Sequence, residues 1–371
     1  MSKPGVAFIG QVPPPYMGPS LATEIILESE LGQVFDLIHL DTSHHEELTT
    51  LGVLDASNVL AALKHYYMLL KILVINRPAL VYIPICQTTI GYLRDSVFIL
   101  ISRLFRKKIV SHLRGGNFRR WYESTGPVTR AYIRFVHRYV DIQIVLGENL
   151  RQLFDGLVDN DRIFVVPNGR DFDWPGTIAS EDPGNGKTRI LYLSNFIKTK
   201  GVLDVLHSVP HVMQQCSDVE FVLAGAWFDD DVKQEMQDTV RDHPEYPVTI
   251  AGKVSGEEKF RLIKSADIFV LPTYYPPEGH PWSIVEAMAA GLPVISTDQG
   301  AITESVIDSV NGYIVEKNDP RDLAEKIIRL CRDSDLRLHM SRESRRLYER
   351  EFTEKKMVER MTVAFNAALS E

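Results

Sequence analysis

The chain reads as an α/β protein with two parallel-sheet domains in tandem. Three observations predict this: a length of 371 residues, short apolar runs alternating with longer helical patterns, and one acidic Gly/Pro-rich break near the middle. That length exceeds what a single core usually organises, so two domains of roughly 150–200 residues each are expected. A hydrophobic share of 44% and a charged share of 24% place the chain among soluble globular proteins rather than disordered or fibrous ones.

The first set of strands is expected at Val6–Ile9, Val34–His39, Leu80–Ile83, Ile109–Leu113, Ile142–Leu146 and Ile163–Val166. Between them, Val59–Ile75 and Val128–Tyr139 repeat apolar residues at three- and four-residue steps, the period of a helix. Strand–helix alternation implies a parallel sheet covered on both faces. The stretch 171–187, DFDWPGTIASEDPGNGK, is rich in Gly, Pro and acids and reads as a linker.

Alternation restarts with Ile190–Leu193, Glu220–Ala224, Val248–Ile250, Ile268–Leu271, Val294–Ser296 and Gly312–Val315. The domains are therefore set at 1–170 and 188–349, and two such sheets joined by one linker are expected to face across a cleft. Open parallel sheets bind ligands beyond the carboxyl ends of their strands, so chemistry is sought in the loops that follow them. Leu336–Leu369 is helical and highly charged.

Composition excludes several classes. Cys86, Cys216 and Cys331 have no paired spacing, which argues against a zinc site or disulfide framework and fits a reducing compartment with buried thiols. The run Val6–Ile9 is too short for a signal-peptide core. The longest apolar stretch elsewhere, near Val97–Ile101, is bounded by Arg94, Asp95, Arg103 and Arg106, so no bilayer span is expected. No GxGxxG follows the first strand, which counts against a dinucleotide oxidoreductase.

Net charge is −8, spread as +3 over residues 1–170 and −11 over 171–371. Arg103 to Arg138 holds ten basic residues and one acid, Glu123, interleaved with Trp121, Tyr122, Tyr132, Phe135 and Tyr139. One reading is a solvated helix face with aromatic core residues beneath it. The sharper one is a peripheral contact with an anionic membrane or a phosphate-bearing substrate through 103–138. Nucleic acid is not the expected partner.

The segment richest in chemistry is Leu271–Pro293, LPTYYPPEGHPWSIVEAMAAGLP. A strand ends at Leu271, prolines hold an extended loop, Gly279 permits a close approach, and Pro281 suits the first turn of a helix running to about Ala290. Gly291 and Pro293 mark its end. Backbone N–H groups around Trp282–Ile284 are then free to meet an anion. Glu278 before that site and Glu286 inside the helix would repel a bare phosphate, yet ionised carboxylates accept hydrogen bonds from hydroxyls strongly. A sugar nucleotide has both.

This segment resembles the E-x7-E signature of the retaining glycosyltransferases of family 4, the glycosyl transferases group 1. The resemblance continues through STDQGAITESVIDSVNG at Ser296–Gly312 and VVPNG at Val165–Gly169. It implies the GT-B fold: two Rossmann-like domains facing across a deep cleft, with a final helix, 350–371, crossing back to the first domain. It also implies that Glu278 holds donor-sugar hydroxyls and Glu286 the ribose, while Gly279, His280 and the amides of Ser283 and Ile284 face the diphosphate. Lys253 and Val254 would lie by the donor base.

In ILYLSNFIKTKG, Ile190–Gly201, Lys200 matches the family's lysine and is placed to neutralise the departing diphosphate. The family usually carries an arginine where this chain has Asn195, a donor contact by position. In IVSHLRGGNF, Ile109–Phe118, His112 resembles the family's histidine beside the donor sugar, and Arg114 and Asn117 fall on the acceptor side. Gly18, in GQVPPPYMGPS after the first strand, stands where the family often has a Gly-Gly pair near the acceptor.

The function implied is retaining transfer of a sugar from a nucleotide-diphosphate sugar, UDP before GDP, to a hydroxyl of a glycan or lipid-linked acceptor. Glu278, Lys200 and His112 are the catalytic candidates. No cofactor is implied, the donor being a substrate, and with no Asp-x-Asp at a strand end and no His/Cys cluster a required metal is not indicated. The expected place is the cytoplasm, at the inner face of the cell membrane. Two rivals remain: a sugar-nucleotide epimerase on the same architecture, and a binding protein that has lost turnover.

Overall fold

Among the described residues, each apolar run expected as a strand forms one, and the strands assemble into two six-stranded sheets, parallel throughout. The computed structural model describes residues 3–14, 17–43, 56–172 and 186–370. These divide into two compact units, Met1–Arg170 with Glu354–Glu371, and Asp171–Thr353.

The first unit runs β1 (Gly5–Gly10), α1 (Gly18–Glu28), α2 (Leu31–Val34), β2 (Asp36–Asp41), α3 (Ala56–Ile75), β3 (Leu80–Ile85), α4 (Thr89–Leu104), β4 (Lys108–Leu113), α5 (Phe118–Ser124), α6 (Pro127–His137), β5 (Ile142–Val145) and β6 (Ile163–Val165). The sheet order is β2-β1-β3-β4-β5-β6. Connections reverse direction between β1 and β3, which makes their carboxyl ends a switch point. One expectation shifts here. Val34 ends a helical turn in which Phe35 N–H donates to the Leu31 carbonyl, so β2 starts only at Asp36.

The second unit runs β7 (Thr188–Leu193), α7 (Val202–Met213), β8 (Val219–Ala224), α8 (Asp230–Asp242), β9 (Val248–Gly252), α9 (Gly256–Lys264), β10 (Ile268–Leu271), α10 (Trp282–Ala289), β11 (Val294–Ser296), α11 (Ile302–Ser305), β12 (Gly312–Ile314), α12 (Pro320–Arg332) and α13 (Ser334–Glu351). Its order is β12-β11-β10-β7-β8-β9, with the switch between β7 and β10. The charged pattern at the carboxyl end breaks at Phe352, and α14 (Glu354–Ser370) belongs to the first unit. There Phe365 is fully buried, edge-on to Phe35 at 5.3 Å and tilted on Tyr82 at 5.9 Å. Most of the expected linker 171–187 lies outside the described residues.

Both cores are strand-and-helix interiors of Val, Ile, Leu and Phe. Burial pushes the Cys86 and Cys331 thiols up to about 12, which keeps them protonated. Much of the aromatic set in 103–138 is also interior: Phe118, Trp121 and Tyr122 are buried, and Arg134 donates to the Tyr122 hydroxyl at 2.7 Å. Arg119 is tied to Glu123 within α5. That removes Trp121 and Tyr122 from the surface expected over 103–138, whereas Phe135 is exposed and Tyr132 and Tyr139 are half-buried.

His137 is buried on the inner face of α6, stacked on Tyr92 with ring centroids 5.8 Å apart, and burial lowers its pKa to about 4. A depressed histidine pKa means the unfolded chain binds the extra proton first. Its stabilising contribution is complete above about pH 6.5 and is lost as pH falls through about 4. Over that window the loss is about 3 kcal/mol. The thermal midpoint is expected to fall with acidification between those values, and histidine NMR should find this ring still neutral at pH 6.

Candidate functional site

The two loops at the second unit's switch point carry the paired charges. β7 ends at Leu193 and leads through Asn195 to a single tight turn, Lys198–Lys200; β10 ends at Leu271 and leads to Glu278. Lys200 Nζ donates to Glu278 Oε2 at 2.5 Å, with both side chains largely buried. Thr273 Oγ1 donates to the same oxygen at 3.3 Å, and the Tyr275 ring lies 4.8 Å below the ammonium. The ammonium and the hydroxyl offset the cost of burying this carboxylate.

Two glycines bring these loops together. Gly201, at φ +79°, passes so near Pro272 that a Cβ would stand 2.3 Å from its carbonyl oxygen. Gly300, at φ +60°, would place a Cβ 2.4 Å from the Gly279 oxygen and 2.6 Å from that of Glu278. Next to it, Ala301 N–H donates to the Gly279 carbonyl at 2.7 Å. Only a residue without a side chain fits either approach.

Glu286, one turn inside α10 and buried, receives Lys259 Nζ from α9 at 2.5 Å. Each of the two acids of the E-x7-E segment thus holds a lysine. Pro281 turns out to be the N-cap rather than the first helical residue, with ψ 125°. Ile284 N–H already donates to the Pro281 carbonyl at 3.2 Å, which narrows the set of amides offered to an anion from the one expected. Ser283 stands half-buried in the first turn.

His280 departs from expectation. Its ring is buried, Nε2 sits 2.6 Å from Ser305 Oγ on α11, and Phe352 tilts against it at 5.1 Å. The side chain braces α10 against its neighbours, so any donor contact at this position falls to the backbone. Arg345 of α13 completes the brace by donating to the Ala289 carbonyl. Asn195 and Lys253 are exposed, and Val254 is half-buried against the core.

In the first unit, His112 is the last but one residue of β4 and is buried. Its Nδ1 lies 2.7 Å from the Tyr82 hydroxyl on neighbouring β3, while its Nε2 has no hydrogen-bond partner among the described residues. Arg114 NH2 donates to that same hydroxyl at 2.9 Å, and its NH1 reaches Thr23 Oγ1 at 2.9 Å and the Pro19 carbonyl at 2.5 Å. The phenol oxygen accepts from Arg114, so its own proton is free for Nδ1. The neutral imidazole then carries its hydrogen on Nε2, a donor aimed away from the core network. Burial first, then the Arg114 charge, hold the His112 pKa well below its usual value, so the ring stays neutral at pH 7.

Tyr82 is therefore a positioning residue that fixes a tautomer. Tyr82→Phe is expected to leave Nδ1 without a partner at a cost of about 1–3 kcal/mol in stability. Nitrogen NMR of the imidazole should report the Nε2–H form in the parent and a mixture in the variant. Gly18 begins α1 and is exposed; Asn117 caps α5, its N–H donating to Gln87 Oε1 at 2.7 Å.

Lys259, Thr273 and Tyr82 were not legible beforehand. Lys259 sits in an ordinary charged helix, GEEKFRLIK, and Tyr82 in an apolar strand, LVYIPI. Neither carries a local pattern, because its partner is far away in the chain. Among the described residues no group of three His, Cys, Asp or Glu is arranged to hold a metal.

Two α/β units, each on a parallel sheet, with charged loops at the β7/β10 switch, define a protein of the GT-B fold. Residues 187–333 match the family described as glycosyl transferases group 1. Over its whole length the chain is similar in fold to the Anabaena protein HepE, crystallised in complex with UDP (TM-score 0.73, 15% identical, covering 98% of this chain and 99% of that one). It is similar too to a glycosyltransferase of Rickettsia africae ESF-5 (TM-score 0.79, 16% identical, all of both chains, 100%).

In sequence it is 30% identical over 191 residues to the spore coat protein SA of Bacillus subtilis (strain 168), 48% of each chain. It is 29% identical over 185 residues to a glycogen synthase of Mycobacterium tuberculosis (strain H37Rv), 49% of this chain and 42% of that one. The chain spans about half the length of the curated relatives it matches.

Proposed function

We propose that this protein is a retaining glycosyltransferase of family 4 that moves a sugar from a nucleotide-diphosphate sugar to a hydroxyl of a glycan or lipid-linked acceptor. The observation that carries the proposal is the buried Lys200–Glu278 pair at the β7/β10 switch, repeated eight residues later as Lys259–Glu286. A diphosphate arriving there draws Lys200 towards its negative charge and leaves Glu278 to accept hydrogen bonds from sugar hydroxyls. Glu286 is assigned the ribose hydroxyls in the same way.

In the transfer step the bond from the anomeric carbon to the diphosphate oxygen breaks, and its electron pair leaves with the phosphate. Lys200 and the first amides of α10 stabilise that developing charge without reorganising. The acceptor oxygen bonds to the anomeric carbon on the face just vacated, and its proton passes to the departing phosphate. No protein base is assigned. His112 offers Nε2–H to a substrate oxygen. UDP is the first choice of nucleotide, supported by UDP in the crystals of HepE, and GDP the second. No cofactor is assigned a step.

A panel of sugar nucleotides tested by thermal shift examines this. A true donor at 100 times its dissociation constant adds about 2.7 kcal/mol of stability. Proton NMR of the product made with an accepted sugar should then give the donor's anomeric configuration. If no sugar nucleotide raises the midpoint, the reading falls. If one binds and isomerises with no acceptor present, the protein is an epimerase; if one binds and no offered acceptor is ever glycosylated, it is a binding protein.

A further inference from the structure

Among the described residues, the outer face of α3 is apolar and uncovered. Leu60, Leu63, Tyr67, Leu70 and Val74 recur at three- and four-residue steps and are 70%, 59%, 68%, 38% and 57% exposed, with Ile75 at the end of the stripe 64% exposed. Its inner face is docked: Leu69 and Leu73 are buried, and the Tyr66 ring packs edge-on to Phe98 of α4 at 5.0 Å. Taking such side chains out of water is favourable, so a stripe of this length left in water calls for an occupant. No bilayer span was expected here, yet Ser57–Ile75 is long and apolar enough to cross a membrane by length and composition. The docked inner face ties the helix to its sheet, which suits lying on a surface rather than crossing one.

Charge says what the occupant is. From residue 56 to residue 122 the chain holds eleven Lys and Arg and one acid, Asp95, which is buried and paired to Arg94. Lys64 and Lys71 stand on the exposed stripe itself, two turns apart. Because β3 and β4 pair in parallel from Leu80↔Lys108, the end of α4 comes beside the end of α3. It adds Leu104, 80% exposed, together with exposed Arg103 and Arg106, next to exposed Arg77. A second copy of the chain laid on this face would set lysine against lysine with no acid between them. A bilayer with anionic headgroups meets both halves of the pattern. Leucines enter the acyl boundary while lysine and arginine stems reach up to phosphate.

We propose that α3, with the adjoining end of α4, seats this protein on the surface of an anionic membrane. The contact is centred on 59–77 and 103–106 rather than spread over 103–138, and it is independent of the catalytic reading. Vesicle flotation of the full chain tests it, using phosphatidylcholine alone and phosphatidylcholine mixed with phosphatidylglycerol. The expected result is binding to the mixed vesicles, weakened by salt, and little binding to the neutral ones. Lys64→Gln with Lys71→Gln should cost on the order of tenfold or more. Leu63→Gln with Tyr67→Gln should cost at least as much, and circular dichroism of both pairs should match the parent because all four side chains are exposed. Absence of flotation with anionic vesicles, or equal flotation with both kinds, overturns the proposal. So does a lipid-free dimer by light scattering that Leu63→Gln with Tyr67→Gln dissolves.

Discussion

Replacing Lys200 by methionine is expected to cost both activity and stability, and a second change should restore only one of them. Lys200 and Glu278 are 15% and 9% exposed in their side chains, so their attraction is little screened. Removing the cation strands a carboxylate whose remaining partner is Thr273 at 3.3 Å. Breaking a buried pair from one side typically costs about 3–5 kcal/mol. The same change removes the charge assigned to the leaving diphosphate, for which a loss of about 10²–10³ in kcat is the ordinary scale.

Adding Glu278→Gln to Lys200→Met removes the stranded charge. Most of the lost stability should return while activity stays at the reduced level, and the coupling between the two changes follows from a double-mutant cycle. Urea unfolding and initial-rate measurements on the two single variants and the double variant decide it. A Lys200→Met variant as stable and as active as the parent would show that the pair contributes little to the fold and has no part in catalysis.

The fold was legible because the strands announce themselves. Ile268–Leu271 and Val294–Ser296 are apolar runs bounded by polar or turn residues, and they form strands with those same limits. Val34 misled because an apolar residue in a four-residue helical turn looks like the start of the strand that follows it. The E-x7-E segment was legible because its glycines and prolines dictate a strand, a loop and a helix in order. Its counter-ions were not. Lys259 and Glu286 lie 27 residues apart on different helices, and no periodicity within either one foretells the contact. His280 misled for the related reason that a polar residue in a functional loop can be spent on packing, here against Ser305 and Phe352. The stripe on α3 escaped for another reason. Two lysines interrupt the linear run of apolar residues, and only the helix, seen with its inner face docked, shows that the leucines on either side share one exposed face.

Gly300→Ala is expected to damage catalysis out of proportion to its size. The added methyl would need to stand 2.4 Å and 2.6 Å from two backbone oxygens, those of Gly279 and Glu278, and neither can rotate away as a side chain would. The loop carrying Glu278 therefore moves, and a displacement of about 1 Å at a positioned group can cost about 10²-fold. The φ of +60° adds strain of about 1–3 kcal/mol for a residue with a side chain. Strain and displacement can be told apart by comparison with Gly156→Ala. Gly156 also has a positive φ, +72°, yet its added methyl meets no atom within 4 Å. Both variants should lose stability, but only Gly300→Ala should lose kcat/KM. Equal activity in the two would mean that Glu278 tolerates the shift, and that the close packing of the 300 loop on the 279 loop serves the fold alone.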